Sequence, residues 1–308
     1  MKESSYCLMR VLRCEIIGNS EGQTIQSNPL PLISSRRNPL VRRLKALASK
    51  EGRDFYSLLL LEGTHLLDEA LRTSFLPSEI VATSSWLKGH LELLQAIPQK
   101  IPIYEVTNSV LEAALTIKSP DGVAALFPLH ALPAPFKDAD FVLALDRLQD
   151  PGNMGNLFRT ALAAEIQVVW LGLGADPLSQ KVLRASAGSV LHLPYERFEG
   201  SENDSIQRFV EKLEYAAMRG YQIVGTFVPE TPNKEIFPYW ELDWAKPTVL
   251  VLGNEGSGLH PLVKPCCTHS ITLPHSPLVK SLNVASAAVP LLFERRRVKM
   301  SSEIHKCR

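Results

Sequence analysis

The chain changes from strand to helix within residues 145–164, which read LDRLQDPGNMGNLFRTALAA. The apolar run that ends at Leu145 predicts a buried strand, and the Pro-Gly pair at 151–152 ends it. Apolar residues then recur at helical spacing, which predicts a helix over 154–165 with one buried face. Arg159 falls outside that face. This pattern is typical of α/β proteins that present a site after a strand, and it equally fits a plain strand–turn–helix unit with a solvated arginine.

Length and composition exclude several classes of protein. The chain has 308 residues, enough for about two domains. It is 45% hydrophobic and 21% charged, and no apolar run approaches the roughly 20 residues that a membrane-spanning helix needs. The net charge is only +1, so any nucleic-acid binding depends on local patches. The cysteines and histidines show no metal-ligand spacing, so we expect no metal site and a reduced, cytoplasmic protein.

The sequence predicts two domains with flanking segments. Residues 1–33 lack both a regular periodicity and the apolar core of a signal peptide, so we expect a poorly ordered extension, with a transit peptide as the alternative. Alternating strands and helices over residues 34–129 predict a small α/β domain. A linker with two prolines follows at residues 130–137. Short apolar strands separated by helices predict a parallel-sheet domain over residues 138–300, with a tail at 301–308.

The four strands predicted in the second domain end at Leu145, Leu171, Thr226 and Leu252.

In the first domain, residues 34–53 are basic, and Asn38-Pro39 begins a helix with a leucine-rich buried stripe. The cationic face of this helix is either solvated or bound to phosphate, and both interpretations stay open. The first domain offers no acid/base cluster, so we assign it to binding. Its candidate phosphate-contacting residues are Arg36, Arg37, Arg42, Arg43 and Lys45.

Two later segments carry further candidate residues. A hydrophobic strand runs into Gly253, Gly256 and Gly258, and glycines there allow backbone groups to approach a ligand closely. Their spacing matches neither a dinucleotide fingerprint nor a phosphate loop, so alone they predict a nucleotide-like ligand or a plain turn. The other segment is LPHSPLVKSLNV, at residues 273–284, in which Ser281 or Asn283 caps a final helix.

Three motifs in this order resemble the SpoU/TrmH-type RNA ribose 2′-O-methyltransferases of the SPOUT superfamily. The first motif is DPGNMGNLFRTA at 150–161, and the second is LGNEGSGL at 252–259. The third is LP at 273–274 followed by SLNV at 281–284. The resemblance extends over about residues 34–297 and includes the family's ribosomal-protein-like RNA-binding module in the first domain.

The resemblance implies a fold, a methyl donor and an assembly. The expected fold is α/β, with a C-terminal parallel-sheet SPOUT domain that contains a deep trefoil knot and a small α/β RNA-binding domain before it. The expected protein is a homodimer that uses S-adenosylmethionine to methylate a ribose 2′-hydroxyl of RNA. Ribosomal RNA is the stronger expectation and transfer RNA the weaker one. Neither a membrane nor a metal is expected to take part.

The resemblance also implies a role for each candidate residue. Arg159 would orient and activate the 2′-hydroxyl, because a guanidinium is cationic, offers several donors and rarely acts as a base. The residues that would position Arg159, the substrate phosphate and the pocket loops are Asn153, Glu255, Ser281 and Asn283. The residues that would hold the donor, mainly through backbone atoms, are Thr226, Gly253, Leu273 and Leu282.

Two rival classes stay open. A non-catalytic RNA-binding or ribosome-assembly factor would keep the fold, but the complete set of polar site residues argues against it. A dinucleotide-dependent enzyme would need a different glycine spacing. If the N-terminal helix does not bind RNA, the basic run at residues 295–297 is the alternative.

Overall fold

The computed structural model describes residues 32–134, 138–227 and 235–306. The chain forms two compact units that divide between Ala131 and Leu132, within the predicted linker. Residues 1–31 of the predicted N-terminal extension lie outside the described residues. In the described ranges no helix is both long enough and apolar enough to cross a membrane.

The N-terminal unit is a four-stranded sheet with helices packed on it. Its strands are β1 (Leu58–Glu62), β2 (Glu79–Thr83), β3 (Ile103–Val106) and β4 (Val123–Pro128), in the spatial order β1-β4-β2-β3. Strand β4 is antiparallel to both neighbours, whereas β2 and β3 are parallel. Its helices are α1 (Pro39–Ala46), α2 (Lys50–Tyr56), α3 (Thr64–Arg72), α4 (Ser84–Gly89), α5 (Leu91–Gln95) and α6 (Asn108–Ala114). Ile33 bridges Val106, so the unit begins inside the predicted extension.

The sequence predicts one helix for the basic residues within 34–53, but the structure has two. Helix α1 ends at Ala46, and Ser49 begins α2 because its side chain accepts a hydrogen bond from the Gly52 N–H at 3.1 Å. The two helices are so close that a Cβ at Gly52 would lie 1.9 Å from the Ala46 carbonyl oxygen. The exposed candidate cations therefore lie on α1 and just before it, whereas Arg53 of α2 is buried and Lys50 pairs with Asp54.

The C-terminal unit is a seven-stranded sheet in which every pair of neighbours is parallel. The predicted strands are β5 (Phe141–Leu145), β6 (Val168–Leu171), β8 (Gln222–Thr226) and β10 (Thr248–Leu252). Three short strands that the sequence did not predict are β7 (Tyr195–Arg197), β9 (Phe237–Pro238) and β11 (His269–Thr272). The spatial order is β7-β6-β5-β10-β8-β11-β9. The predicted parallel sheet is thereby confirmed.

The helices of this unit are α7 (Pro151–Ala163), α8 (Gln180–Ala185), α9 (Glu202–Met218) and α10 (Val284–Lys306). Helix α10 continues to Lys306, so most of the predicted tail at 301–308 is helical instead. Helices α7 and α8 touch at Gly155, where a Cβ would lie 2.4 Å from the Cβ of Ala185. The second glycine of the first motif therefore permits helix packing, a role that the sequence did not suggest.

Strand order brings the three motifs to one edge of the sheet. The first motif follows β5 and the second follows β10, and these strands are neighbours. Strand β8 lies between β10 and β11, and the third motif follows β11. Because the carboxyl ends of parallel strands lie at the same edge, the loops after β5, β10, β8 and β11 are adjacent there.

Candidate functional site

The first motif begins as a capped helix. The Asp150 side chain accepts a hydrogen bond from the Asn153 N–H at 2.7 Å, and Pro151 occupies the first turn. This cap sets the direction of α7 as the chain leaves β5. It also leaves the backbone N–H groups of Gln149 and Asp150 free to face the loop after β10.

The carboxylate of Glu255, in the second motif, accepts hydrogen bonds from those N–H groups. Its carboxylate accepts hydrogen bonds from Gln149 N at 3.2 Å, Asp150 N at 3.0 Å and Asn153 Nδ2 at 3.1 Å. Burial raises the pKa of Glu255, but hydrogen bonds from its own N–H, from Asn153 and from the two backbone N–H groups outweigh that effect and lower the pKa. Glu255 is thus an ionised clamp that joins the first and second motifs.

Asn283 adds the third motif to this network. Its Nδ2 donates to Asn153 Oδ1 at 2.8 Å, while its Oδ1 accepts from the N–H groups of Ala285 and Ser286. The two amide orientations support each other, because Glu255 can only accept and the N–H groups of α10 can only donate. Asn283 therefore caps α10 and also orients Asn153, so the structural and functional interpretations both apply.

Arg159 and Ser281 lie outside this network. Arg159 is exposed on α7, about 9 Å further along the helix axis than Asn153. It forms no hydrogen bond or ion pair with the residues that the structure describes. Ser281 is also exposed and has no hydrogen bond within the described ranges. The structure brings Asn153, Glu255 and Asn283 together and leaves Arg159 exposed outside their network.

The four residues expected to hold the donor lie around the same edge. Thr226 ends β8, Gly253 follows β10 and Leu273 follows β11, so they come from three adjacent strands. Leu282 lies in the exposed segment that leads back to α10, and 40% of its surface is exposed. Strand-end backbone groups beside an exposed apolar side chain are the kind of surface that a flat purine with a ribose requires.

The structure gives a packing reason for glycine at position 253. A Cβ there would lie 2.4 Å from the carbonyl carbon of Gly258 and 2.5 Å from the nitrogen of Leu259. Glycine is required here because the loop packs on its own backbone. A larger residue at this position would therefore disrupt the loop whether or not it touches the donor.

The structure distinguishes among the cations of the N-terminal unit. Arg36, Arg37, Arg42 and Lys45 are exposed. Arg43 instead forms a bidentate ion pair with Glu79 at the start of β2, so it joins α1 to the sheet. Four of the five candidate residues are therefore available to a phosphate, and Arg43 serves the fold.

The alternative basic run at 295–297 is engaged within its own unit. Arg295 is 8% exposed, donates to the Trp244 carbonyl and lies 5.6 Å from the ring centroid of Phe141. Arg296 pairs with Glu165, and Arg297 pairs with Glu294. The run is therefore a set of structural contacts, which weakens it as an RNA-binding site.

Sequence reasoning missed Gln149 and the backbone of Asp150. Both donate to Glu255 through main-chain N–H groups, which any residue type supplies. No signal in side-chain chemistry could have identified them.

A parallel sheet whose carboxyl edge carries a polar network joining three loops is the arrangement in which open α/β proteins bind ligands and substrates. Residues 140–293 match the SpoU rRNA methylase family, and residues 38–125 match the MRM3-like substrate binding domain. The chain belongs to the SpoU rRNA methylase family. It is therefore an RNA methyltransferase with an N-terminal substrate-binding domain.

Relatives that match most of the chain support this assignment. An uncharacterized tRNA/rRNA methyltransferase of Synechocystis is 37% identical over 268 residues, covering 86% of this chain and 93% of the relative. The 23S rRNA (guanosine(2553)-2′-O)-methyltransferase RlmP of Bacillus subtilis is 30% identical over 265 residues, covering 86% and 98%. The crystal structure of an AdoMet-bound rRNA methyltransferase from Sinorhizobium meliloti is 28% identical, with a TM-score of 0.68 and coverage of 86% and 97%. The expected family, enzyme class and donor are confirmed.

Proposed function

We propose that this protein methylates a ribose 2′-hydroxyl of ribosomal RNA with S-adenosylmethionine at the carboxyl edge of the C-terminal sheet. The observation that carries the proposal is the Glu255–Asn153–Asn283 network, which joins all three motifs beside an exposed Arg159. The 23S rRNA activity in the name of the Bacillus relative favours ribosomal over transfer RNA. The complete set of polar site residues argues against a non-catalytic assembly factor.

The residues divide the chemistry between positioning and activation. The donor supplies a methyl group on a sulfonium, which requires in-line attack by a hydroxyl that is a poor nucleophile at neutral pH. Arg159 orients that hydroxyl and stabilises the negative charge that develops on its oxygen. As the 2′-oxygen bonds the methyl carbon, the carbon–sulfur bond of the donor would break to leave a neutral thioether, and the hydroxyl proton would pass to solvent water. Glu255 cannot easily take that proton, because its oxygens already accept N–H groups and its pKa is lowered. It holds Asn153 and the two loops instead.

The donor is held by the strand-end residues. We assign its adenosine to the space between Thr226, Gly253, Leu273 and Leu282. Backbone groups there supply hydrogen bonds, and the leucine side chains cover apolar surface. The Leu273 carbonyl already accepts from His275 Nδ1 at 2.7 Å, but a carbonyl oxygen can accept a second hydrogen bond.

The N-terminal unit is assigned to RNA binding through phosphate. Arg36, Arg37, Arg42 and Lys45 are exposed cations at the start of the unit that matches a substrate-binding domain. Exposed lysine and arginine bind RNA phosphates by releasing counterions, largely without regard to sequence. Selection of the nucleotide then falls to contacts with its base.

We propose that the C-terminal unit contains a trefoil knot and forms a homodimer with a second copy of the chain. Helix α10 carries an exposed apolar stripe, because Val289, Phe293, Met300 and Ile304 share one face and are 42%, 42%, 48% and 55% exposed. A second copy of the chain would cover such a stripe. The position of β10 between β5 and β8 is compatible with the knot. The cysteine spacing and an RNA substrate favour the cytoplasm.

Arg159→Ala tests the function. Methyl transfer to ribosomal RNA from cells that lack this protein should fall by about 100-fold or more, because the developing charge loses its main stabilising group. Calorimetry should show nearly unchanged affinity for S-adenosylmethionine. Arg208→Ala, which removes an exposed arginine from α9, is the matched control. Near-normal turnover in Arg159→Ala would show that the catalytic assignment is wrong.

A further inference from the structure

The second-motif turn, defined here as residues 254–258, is rigid within itself. The backbone groups of Asn254 and Gly258 bond to each other in both directions, at 3.0 and 2.9 Å. The Asn254 side-chain oxygen accepts from the N–H groups of Gly256 and Ser257, each at 3.0 Å. Glu255 lies within this turn, so its position relative to α7 depends on what anchors the turn as a whole.

The anchors converge on one dipeptide, Asp146-Arg147, directly after β5. The Asp146 carboxylate, which is 0% exposed, accepts from His260 N at 2.5 Å and from Arg147 Nε at 3.0 Å. The Arg147 carbonyl accepts from Asn254 Nδ2 at 2.9 Å. Arg147 Nη2 donates to the Gly258 carbonyl at 3.5 Å. The dipeptide thus holds both ends of the second-motif turn.

Arg147 makes these contacts from a strained backbone. Its φ is 54°, in the left-handed region that residues with a Cβ disfavour. Such a conformation persists only where the surroundings determine it, and it occurs preferentially at functional sites. Glycine would adopt it without strain, so the arginine is explained by its side-chain contacts and not by the turn.

We propose that Asp146 and Arg147 are positioning residues for methyl transfer, which fix the second-motif turn so that the Glu255 carboxylate meets the first-motif donors. Neither residue touches the reacting groups. Their effect passes through Glu255 to Asn153 and Asn283. The kinetic consequence rests on the proposed function, whereas the positioning itself is a property of the fold.

Arg147→Gly is the decisive variant, because it keeps the backbone conformation and removes only the side-chain anchors. Glu165→Gly is its matched control. Glu165 also has a positive φ, 59°, and also pairs with an arginine, Arg296, but it follows the C-terminal end of α7, away from the motif loops. Asp146→Asn provides a second test, because an amide has only one acceptor oxygen for the two donors, Arg147 Nε and His260 N.

Two readouts separate the positioning from the activity. Amide hydrogen exchange at Gln149 and Asp150 reports directly whether Glu255 still accepts their N–H groups. Single-turnover transfer of tritiated methyl from S-adenosylmethionine, with ribosomal RNA from cells that lack the protein, reports catalysis. Thermal melting confirms that each variant is folded at the temperature of the assay.

In Arg147→Gly and Asp146→Asn we expect exchange at both amides to accelerate by about 10-fold or more. The transfer rate should fall by roughly 10-fold to 100-fold, with the KM for RNA little changed. In a Glu255→Ala background, Arg147→Gly should lower the rate no further, since it acts through Glu255.

The inference would be overturned if Arg147→Gly left amide exchange at Gln149 and Asp150 unchanged, or if Glu165→Gly accelerated that exchange equally. An additive rate loss in the Glu255→Ala background would do the same, because it would show a purely structural effect. If the unsubstituted protein transfers no methyl group, the proposed function fails, and the exchange readout alone decides the positioning.

Discussion

Individual polar residues of the site have two functions at once. Asp150 and Asn283 cap helices, as residues of their type do in many proteins, and the same side chains or their neighbours join the motifs together. A cap fixes the first turn of a helix, so it also fixes the direction of the groups on that turn. For this reason the structural interpretation of a motif residue does not argue against a functional one.

Glu255→Gln tests the clamp through its pH dependence. Because the pKa of Glu255 is lowered in the folded protein, its ionised form contributes stability that is present above the unfolded pKa and lost as pH falls through the folded value. We expect the unsubstituted protein to have the higher Tm at pH 7. That difference should shrink below about pH 4.3, the ordinary value for glutamate.

Thermal melting from pH 7 down to pH 3.5 measures this difference. Glu294→Gln is the control, because Glu294 also has a lowered pKa but pairs with Arg297 on α10, away from the motif loops. Only Glu255→Gln should also slow methyl transfer at pH 7. A Tm difference that does not change with pH would show that the Glu255 charge is irrelevant to the clamp.

At the residue scale the family resemblance nominated Asn153, Glu255 and Asn283, but it did not predict their connections. The structure joins these three side chains in one hydrogen-bonded network. The main-chain donors at Gln149 and Asp150 could not be nominated, since a backbone N–H has no sequence signature. The packing reasons for Gly155 and Gly253 were also hidden, because they depend on atoms distant in sequence or across a turn.

At the scale of elements, strands with a clear apolar pattern were predicted correctly, whereas short or polar strands were not. Strands β5, β6 and β10 are almost entirely apolar, and β8 has an apolar pair, Ile223 and Val224, near its centre; all four were predicted. Strand β9 has only two residues, Phe237–Pro238, too few for any period. Strand β11 reads HSIT, and its polar residues conceal a strand that is buried by the strands beside it.

The ion pair between Arg43 and Glu79 changes how RNA binding by helix α1 should be tested. Arg42 and Lys45, three residues apart on α1, are exposed on neighbouring positions, whereas Arg43 pairs with Glu79. Reversing Arg43 to glutamate would place two carboxylates together and disturb the fold. The informative variant is Arg42→Glu with Lys45→Glu.

This double variant should bind RNA more weakly, and more so at low salt than at high salt. The slope of log K against log salt should decrease by about 1.5, corresponding to two lost contacts with single-stranded or paired phosphates. Affinity for S-adenosylmethionine should not change. Lys88→Glu with Lys100→Glu carries the same charge change on exposed residues of the same unit and serves as the control. Equal slopes in the two double variants would show that α1 does not contact RNA.

At the scale of the whole molecule, the two units have separate cores and separate candidate roles. The helix α1 residues pack with the strands of the N-terminal sheet, and a second core surrounds the strands of the C-terminal sheet. Every candidate for donor binding and chemistry lies after residue 138, and the four exposed candidates for phosphate binding lie before residue 46. We therefore expect the two activities to be separable by truncation.

A fragment that starts at Ala134 should fold, dimerise and bind S-adenosylmethionine while losing most of its affinity for RNA. It retains the whole C-terminal sheet, the three motif loops and the apolar stripe of α10, but none of the exposed cations of α1. Sedimentation tests the dimer, calorimetry tests donor binding, and a salt series tests RNA binding against the full chain. Phe293→Glu in the fragment is the control for the stripe and should yield monomers, because a carboxylate cannot be buried in an apolar contact without a partner. If the fragment binds RNA as tightly as the full chain, with the same salt slope, the C-terminal unit holds the RNA and the N-terminal unit has another role.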